Sequence, residues 1–282
     1  MAPVRRLAAV RLRAAGVGTP FLDSTVLISE VLGVDVAQVA VDADRHLTSV
    51  EINQFERLVQ RRVAREPVAY IVGRKAFADG SIHVTPDVLV PRPETEVLVT
   101  AAIETSRALC PCMIVDVGTG SGAVAVAIAN ALPGALVVAS DLSCDALMIA
   151  QHNVRAWRVV PHVRLVRSDG VRAMNLSGTV VAANLPYIPS GTLKTLEPEV
   201  SVAEPSVALD GGPDGLNAIR GVLHHMGSRL PLALLLEIGH DQRTMVTALA
   251  AAQGLACHAI HPDLAGHPRV LQFRPVGGRS RC

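Results

Sequence analysis

The chain has 282 residues, of which 50% are hydrophobic and 18% charged, and its formal net charge is +1. This length allows one large or two moderate domains with a sizeable core. The near-neutral charge argues against a chain that binds a polyanion through bulk charge, and favours a protein or a small molecule as the substrate.

The composition gives little support for a membrane-spanning segment or for a metal site. No apolar run reaches the roughly 18 residues of a membrane span, so we expect a soluble, cytoplasmic protein without a membrane partner. The cysteines are scattered and odd in number, which predicts free thiols in a reducing compartment and no metal site. They are Cys110, Cys112, Cys144, Cys257 and Cys282.

Residues 1–72 have a helical pattern. Four arginines near the N-terminus, without an acid among them, resemble a transit peptide, but Leu7, Val10, Leu12 and Ala15 recur at helical spacing. This spacing favours an amphipathic helix of the folded protein.

A second helix is expected to begin near Asp23 or Ser24 and to end at Gly33, and a short third one follows over residues 36–41.

The fourth helix has the clearest signal, because Thr48 and Glu51 have the spacing of a capping box. An apolar stripe follows, the arginines from Arg57 to Arg65 are expected mostly on the surface, and Pro67 is expected to end the helix. The region is interpreted as a small helical bundle; its arginines are either solvated or part of a partner-docking surface.

At Val68 the spacing of the apolar residues along the chain changes. Turn residues at Asp79-Gly80 and Pro86-Asp87 separate short apolar segments, the first of them over residues 69–73. This pattern predicts one or two short hairpins. We expect a connector over residues 73–91, between the helical domain and a larger domain over residues 92–282.

The larger domain opens on Pro91-Arg92-Pro93-Glu94-Thr95-Glu96, which is expected to cap a helix over residues 97–109. The two prolines fix the backbone, and acids in a first turn are stabilised by the helix dipole. The dipole alone could explain the acids. Arg92 between two prolines is nevertheless a rigidly presented charge, for which we favour a functional role.

A glycine-rich loop follows the apolar strand over residues 113–117 and precedes an Ala/Val-rich helix. It has the pattern G-x-G-x-G, with Gly118, Gly120 and Gly122 directly after Asp116-Val117. Such a loop places backbone N–H groups and a helix N-terminus beside a ligand. The pattern suits a nucleotide-like cofactor without a pyrophosphate; a structural tight turn is the alternative.

Two further acids follow predicted strands. Asp141 ends the strand over residues 135–140, where α/β nucleotide sites place a carboxylate that binds ribose hydroxyls. Its alternative role is the N-cap of a helix over residues 144–157. Asp169 follows the strand over residues 163–166 and could accept a hydrogen bond from the amino group of an adenine. An acid in a loop without such a role is the alternative.

The fourth strand, over residues 179–183, ends in Asn184-Leu185-Pro186-Tyr187. The Asn184 carboxamide can bind another amide or an amino-substituted heterocycle in a fixed orientation, and the Tyr187 ring can pack on a planar group. Neither side chain is a strong base. The pair therefore suits a reaction at an amide or exocyclic nitrogen that depends on orientation; a β-turn made by the prolines is the alternative.

The remaining elements complete an α/β domain. A strand over residues 232–238, a helix over 245–252 and strands over 256–260 and 269–273 bring the sheet to seven strands. Alternation of helix and strand predicts a mainly parallel sheet covered on both faces.

The glycine loop, Asp141 and Asn184-Leu-Pro186-Tyr187 resemble the motifs of S-adenosylmethionine-dependent methyltransferases that act on planar nitrogens. Further segments resemble the PrmC/HemK family, whose members methylate the glutamine amide in the Gly-Gly-Gln motif of release factors. These segments are Pro67–Gly73, Val88–Glu96, Leu196–Val200, Ala208–Gly215, Leu235–Gly239 and Asp263–Gly266.

The resemblance implies a Rossmann-like methyltransferase domain after a helical substrate-docking domain. It implies S-adenosylmethionine as the cofactor, class I release factors as partners and no nucleic acid; we expect a monomer. The implied cofactor-binding residues are Gly118, Thr119, Gly120, Ser121, Gly122, Asp141, Asp169, Gly170 and Asn184. The implied substrate-binding residues are Arg92, Glu94, Asn184, Leu185, Pro186 and Tyr187, and the implied catalytic ones are Asn184, Pro186 and Tyr187.

Two other functions stay open at this point. Asn-Leu-Pro-Tyr also occurs in RNA adenine dimethyltransferases, which keeps an N6-adenine methyltransferase acting on RNA or DNA as an alternative. A non-catalytic S-adenosylmethionine-binding module is the other. The family often has proline where this chain has Leu185.

Overall fold

The computed structural model describes residues 1–172 and 174–277. The described chain forms two compact units. The first contains Met1–Arg74 together with Glu197–Ala203, and the second contains the other described residues, within 75–196 and 204–277. Four of the five cysteines are free and exposed; Cys282 lies outside the described residues.

The first unit is helical, as predicted. Its first five helices are α1 (Ala2–Ala14), α2 (Pro20–Leu32), α3 (Val36–Val41), α4 (Ser49–Val63) and α5 (Val68–Val72). The capping box is confirmed, since Glu51 N donates to Thr48 Oγ1 over 3.3 Å and Thr48 N donates to Glu51 Oε2 over 2.7 Å.

Several predicted boundaries in this unit were wrong. Helix α2 begins at Pro20 rather than near Asp23, because proline is favoured at the first helical position. Residues 68–72 form α5 instead of part of a hairpin, between Pro67 as N-cap and Gly73 as a left-handed C-cap with φ of 72°. Helix α4 ends at Val63, before Pro67.

One hairpin, formed by β1 (Arg74–Phe77) and β2 (Gly80–His83), begins at the last residue of Met1–Arg74, and α6 (Thr95–Leu109) follows it along the chain. Between His83 and Thr95 the chain forms no further strand. The elements that follow are β3 (Met113–Val117), α7 (Ala123–Ala131), β4 (Val137–Asp141), α8 (Cys144–Ala156), β5 (Val163–Arg167), β6 (Thr179–Ala183), α9 (Pro198–Ser201, in the first unit), α10 (Asn217–Met226), β7 (Ala233–Glu237), α11 (Arg243–Ala251), β8 (Leu255–Pro262) and β9 (Pro268–Pro275).

Seven strands form one sheet in the order β5-β4-β3-β6-β7-β9-β8, which confirms the predicted fold class. The first five strands of this order are parallel, and β9 runs antiparallel to both β7 and β8. Strands β3, β4 and β5 follow one another toward one edge of the sheet, whereas β6 and β7 lie on the other side of β3, so the order of strands reverses between β3 and β6. In open α/β sheets, ligands bind beside the carboxyl ends of the strands at such a point.

The central strands are buried on both faces, which explains their continuous apolar runs. Every residue of β6 and β7 is buried, including the one acid, Glu237. Helix α7 buries seven consecutive residues between the sheet and the neighbouring helices α6 and α8. The glycine loop and the ends of β4, β6 and β7 are therefore fixed by a rigid core.

The first unit has its own core, formed among others by Leu12, Leu27, Ile28, Phe55 and Val59. Leu7 and Val10 of the predicted stripe of α1 are exposed instead. Among the described residues, no helix is both long enough and apolar enough to cross a membrane.

One arginine of α4 contradicts the expectation of a surface position. Arg62 is 6% exposed and forms ion pairs of 2.7 Å with Asp23 of α2 and with Glu199 of α9. Arg65 pairs with the same Glu199 carboxylate. The acid that neutralises these arginines lies far along the chain, so the helical pattern of α4 contained no sign of their burial.

Candidate active site

The glycine loop has the conformation that its sequence predicted. Gly118, Gly120 and Gly122 have φ values of 71°, 53° and 81°, which side chains resist. A Cβ on Gly122 would lie 3.1 Å from Ala150 Cα, and one on Gly118 would lie 3.3 Å from Leu185 Cδ2. A Cβ on Gly120 would meet nothing within 4 Å. Gly120 thus faces open space, where a ligand can approach the backbone closely.

Asp116 holds the loop from inside. It is 1% exposed, and Thr119 Oγ1 donates to its Oδ2 over 2.6 Å. Burial raises the pKa of Asp116 to about 7, against hydrogen bonds from Thr119 and from the backbone of Ala125. The side chain of Thr119 is therefore engaged within the loop, and its backbone is the part left for a ligand.

Asp141 lies beside the glycine loop. Its Oδ2 accepts a hydrogen bond from Gly120 N over 2.9 Å, and its Oδ1 accepts one from Ser143 N over 2.9 Å. The alternative role of Asp141 as a helix N-cap is wrong, because Ser143 caps α8 through Ala146 N. The half-buried carboxylate retains lone pairs for further donors.

Asp169 and Gly170 follow β5. The Asp169 side chain is 55% exposed and forms an ion pair of 3.3 Å with Arg172. Gly170 has a φ of 57°, and a Cβ there would lie 3.3 Å from Val222 Cγ2. Asp169 forms no hydrogen bond to the glycine loop among the described contacts, so the structure leaves it at the exposed end of the site.

Asn153 of α8 is a support that the sequence analysis missed. It is fully buried, and its Nδ2 donates to Ser121 O over 2.8 Å and to His83 O over 2.9 Å. Its Oδ1 accepts from His83 N over 2.8 Å. One carboxamide thus fixes the glycine loop to the hairpin. A polar residue on the buried face of a helix was the available signal.

The segment after β6 presents Asn184 next to the glycine loop. A Cβ on Gly118 would lie 3.6 Å from Asn184 O. The half-buried Asn184 donates through Nδ2 to Thr95 Oγ1 over 3.0 Å. Leu185 is 7% exposed and packs in the core, so its backbone, and not its side chain, is available to a substrate.

Tyr187 is held at both ends. Its hydroxyl donates to Glu237 Oε1 over 3.4 Å, and its backbone oxygen accepts from Gln242 Nε2 over 2.9 Å. Burial and the Glu237 carboxylate raise the pKa of the Tyr187 hydroxyl to about 12. Gly215 lies so close to Tyr187 O that a Cβ would sit 2.3 Å from it. The ring is therefore fixed and its hydroxyl stays protonated.

Arg92 and Glu94 differ in their surroundings. Arg92 Nη2 pairs with Glu204 Oε2 over 2.6 Å, and the Glu204 side chain is 1% exposed. Burial raises the pKa of Glu204 to about 7, although the Arg92 charge lowers it. Glu94 is exposed at the N-terminus of α6, without a side-chain capping bond. The rigidly held Arg92 side chain thus pairs with the internal acid Glu204, a partner that the sequence analysis did not identify.

The remaining missed residues surround Asn184 and Tyr187. They are three buried polar residues at the ends of apolar elements: Thr95, Glu237 and Gln242. A polar residue next to an apolar run is a signal that the sequence already contained. Within the described part of the chain, no group of three His, Cys, Asp or Glu side chains could hold a metal ion.

A model described as the PrmC N-terminal domain matches residues 4–73, and one described as ribosomal protein L11 methyltransferase (PrmA) matches residues 94–203. A release factor glutamine methyltransferase of Caulobacter vibrioides is 36% identical, covering 93% of this chain and 91% of its own. Another, of Moorella thermoacetica, is 40% identical and covers 93% of each chain.

The chain belongs to the release factor glutamine methyltransferase family. Its fold has wider relatives. The hMettl16 catalytic domain, solved in complex with an RNA hairpin, matches with a TM-score of 0.56 at 11% identity, covering 71% of this chain and 77% of that one. At this identity the likeness shows a shared methyltransferase fold alone. The family membership confirms the resemblance that the sequence motifs indicated.

Proposed function

We propose that this chain transfers the methyl group of S-adenosylmethionine to the side-chain amide nitrogen of the glutamine in the Gly-Gly-Gln motif of class I peptide-chain release factors. One observation carries the proposal within the family. An amide-binding side chain, Asn184, follows β6 directly beside the glycine loop at the switch point of the sheet.

The residues present fit the cofactor, because Gly120 faces open space and its N–H is held by Asp141. The loop from Gly118 to Gly122, including the backbone of Thr119 and Ser121, would hold the methionine part. Asp141 would bind the ribose, and the Asp169-Gly170 turn would border the adenine. When bound, S-adenosylmethionine supplies a methyl group on a positively charged sulfur.

Asn184 orients the substrate amide. Because Nδ2 donates to Thr95, Asn184 Oδ1 is left to accept an N–H of the glutamine side chain. Pro186 restrains the backbone behind it, and the fixed Tyr187 ring can pack on the planar amide. Arg92 and Glu94 are proposed to contact the flanking substrate residues.

The chain positions a weak nucleophile instead of deprotonating it first. Asn184 and Tyr187 are not general bases, and the Tyr187 hydroxyl stays protonated near neutral pH. Rate enhancement therefore comes from orientation and from the hydrogen bond to the reacting N–H. The proton leaves the amide nitrogen after the methyl group has been transferred.

The broader setting follows from the same proposal. Residues 1–72 would act as a docking domain for the release factor. The chain would work as a cytoplasmic monomer that recognises protein and not nucleic acid.

A methyl-transfer assay with labelled S-adenosylmethionine tests the proposal. The substrates are an intact release factor, the same factor with the Gly-Gly-Gln glutamine replaced by alanine, and a structured RNA. We expect label on the intact factor alone, and its loss in Asn184→Ala. Label on the RNA, or on the glutamine-free factor, would contradict the assignment.

A further inference from the structure

The main chain that carries the proposed substrate-binding side chains is held at few points. Residues 184–187 lie between Ala183, which pairs with both neighbouring strands of the sheet, and Ile188, whose N donates to Leu209 O over 3.1 Å. Among the described hydrogen bonds, the backbone of residues 184–187 takes part in one: Tyr187 O accepts from Gln242 Nε2 over 2.9 Å. The position of this segment therefore depends on Gln242.

Gln242 connects three loops through one carboxamide. It precedes α11 and is 3% exposed. Besides the bond to Tyr187 O, its Nε2 donates to Gly215 O over 3.4 Å, and its Oε1 accepts from Gly239 N over 2.9 Å. Two carbonyl groups and one N–H require a partner with two donors and an acceptor, which a carboxamide provides. The loops after β6, before α10 and after β7 are thus joined at Gln242.

The packing at Gly215 matches these hydrogen bonds. Gly215 has a φ of 77°, and a Cβ there would lie 2.3 Å from Tyr187 O and 2.7 Å from Gln242 Nε2. A side chain at this position would therefore occupy the place where Gln242 reaches the backbone of Tyr187. The absence of a Cβ allows the three loops to approach one another closely enough to share one carboxamide.

We propose that Gln242 is a positioning residue for methyl transfer, which fixes Asn184 and the Tyr187 ring by holding Tyr187 O. This inference rests on the proposed function of Asn184. Without the donor at position 242, the segment can shift relative to the glycine loop while both side chains stay intact. Because a misplacement of about 1 Å can lower a rate about 100-fold, the shift lowers kcat. The glycine loop has supports of its own in Asp141 and Asn153, so cofactor affinity is retained.

A matched pair of buried glutamines separates positioning from stability. Gln272 of β9 is 5% exposed, and its Oε1 lies 3.1 Å from His261 Nε2 of β8. Replacement by methionine removes the carboxamide at either position and keeps the length of the side chain. Steady-state methylation of the release factor gives kcat and KM, calorimetry gives Kd for S-adenosylmethionine, and thermal unfolding gives stability. We expect kcat to fall about 10- to 100-fold in Q242M, with little change in KM or Kd, and to stay near the wild-type value in Q272M.

The variant Gln242→Glu decides the question if Q242M does not fold. An ionised glutamate keeps the size and the acceptor for Gly239 N but donates nothing to Tyr187 O, so we expect the same decrease in kcat. A wild-type kcat in a Gln242 variant, or equal kcat values in Q242M and Q272M, would overturn the role of Gln242. A decrease in kcat matched by an equal loss of cofactor affinity would overturn it too. A wild-type protein that transfers no methyl group to the release factor would instead overturn the proposed function.

Discussion

Two glycines of the same loop should respond differently to alanine. Gly120 and Gly122 both have left-handed backbones, with φ of 53° and 81°, so either substitution costs about 1–2 kcal/mol in backbone strain. A Cβ on Gly120 meets open space, whereas one on Gly122 would lie 3.1 Å from both Ala150 Cα and Ala150 Cβ. Because backbone cannot move aside cheaply, Gly122→Ala should lose a further ~1–3 kcal/mol through overpacking.

The affinity for S-adenosylmethionine should show the opposite order: it should fall more in Gly120→Ala, the more stable of the two variants. In Gly120→Ala the added methyl group occupies the space that the cofactor needs, so affinity should fall about tenfold or more, equivalent to at least ~1.4 kcal/mol, in a protein that is only mildly destabilised. Thermal unfolding should shift by about 2–4 °C for each kcal/mol lost. Gly122→Ala should unfold at a clearly lower temperature than Gly120→Ala.

The assay combines thermal unfolding with calorimetric titration of S-adenosylmethionine for both variants and the wild type. Wild-type affinity in Gly120→Ala would refute the claim that the space beside Gly120 is the cofactor cradle. A Gly122→Ala protein as stable as Gly120→Ala would refute the packing argument at Ala150.

Three further predictions concern supports away from the reacting atoms. Arg62→Met leaves the buried Asp23 without a counter-charge and should cost about 3–5 kcal/mol, whereas Arg57→Met on the exposed face should stay within about 0.5 kcal/mol; urea unfolding compares them, and equal midpoints would contradict the burial argument. Asn153→Ala removes three hydrogen bonds to the loop and hairpin, so calorimetry should show weaker cofactor binding; unchanged affinity would contradict this support. Because the pKa of Glu204 is raised to about 7, its contribution to stability is present below its unfolded pKa and is lost as pH rises through about 7. The free energy of unfolding should therefore decrease less across this range in Glu204→Gln than in the wild type; parallel curves would count against the raised pKa.

Local sequence signals predicted the elements that depend on neighbouring residues. The glycine loop, the Thr48 capping box and the strand that delivers Asn184 are each set by a few consecutive residues and by an apolar period, so they were found. The mainly parallel sheet was predicted from the alternation of helices with strands, whereas the order of its strands was not predicted. Residues 68–72 misled because their β-branched character favours a strand, whereas Pro67 and Gly73 close a single helical turn.

Tertiary partners were not predictable in the same way. Arg62 is buried because it forms an ion pair with Glu199, which is distant in the sequence. Arg92 likewise pairs with Glu204, an acid far along the chain. The supports of Asn184 and Tyr187 come from α6, β7 and the segment before α11. The segments that contain Thr95 and Glu237 were recognised in the sequence as similar to the family, whereas the one that contains Gln242 was not; the contacts of all three residues depend on the folded sheet.

The central claim is that the glutamine amide of a release factor is methylated at the site formed by Asn184 and the glycine loop. Tandem mass spectrometry of the release factor after incubation with S-adenosylmethionine tests it most directly, with Asn184→Ala as the matched enzyme. The account predicts one added methyl group on the glutamine of the Gly-Gly-Gln motif with the wild type and none with the variant. A methyl group on another residue, or equal methylation by Asn184→Ala, would contradict it.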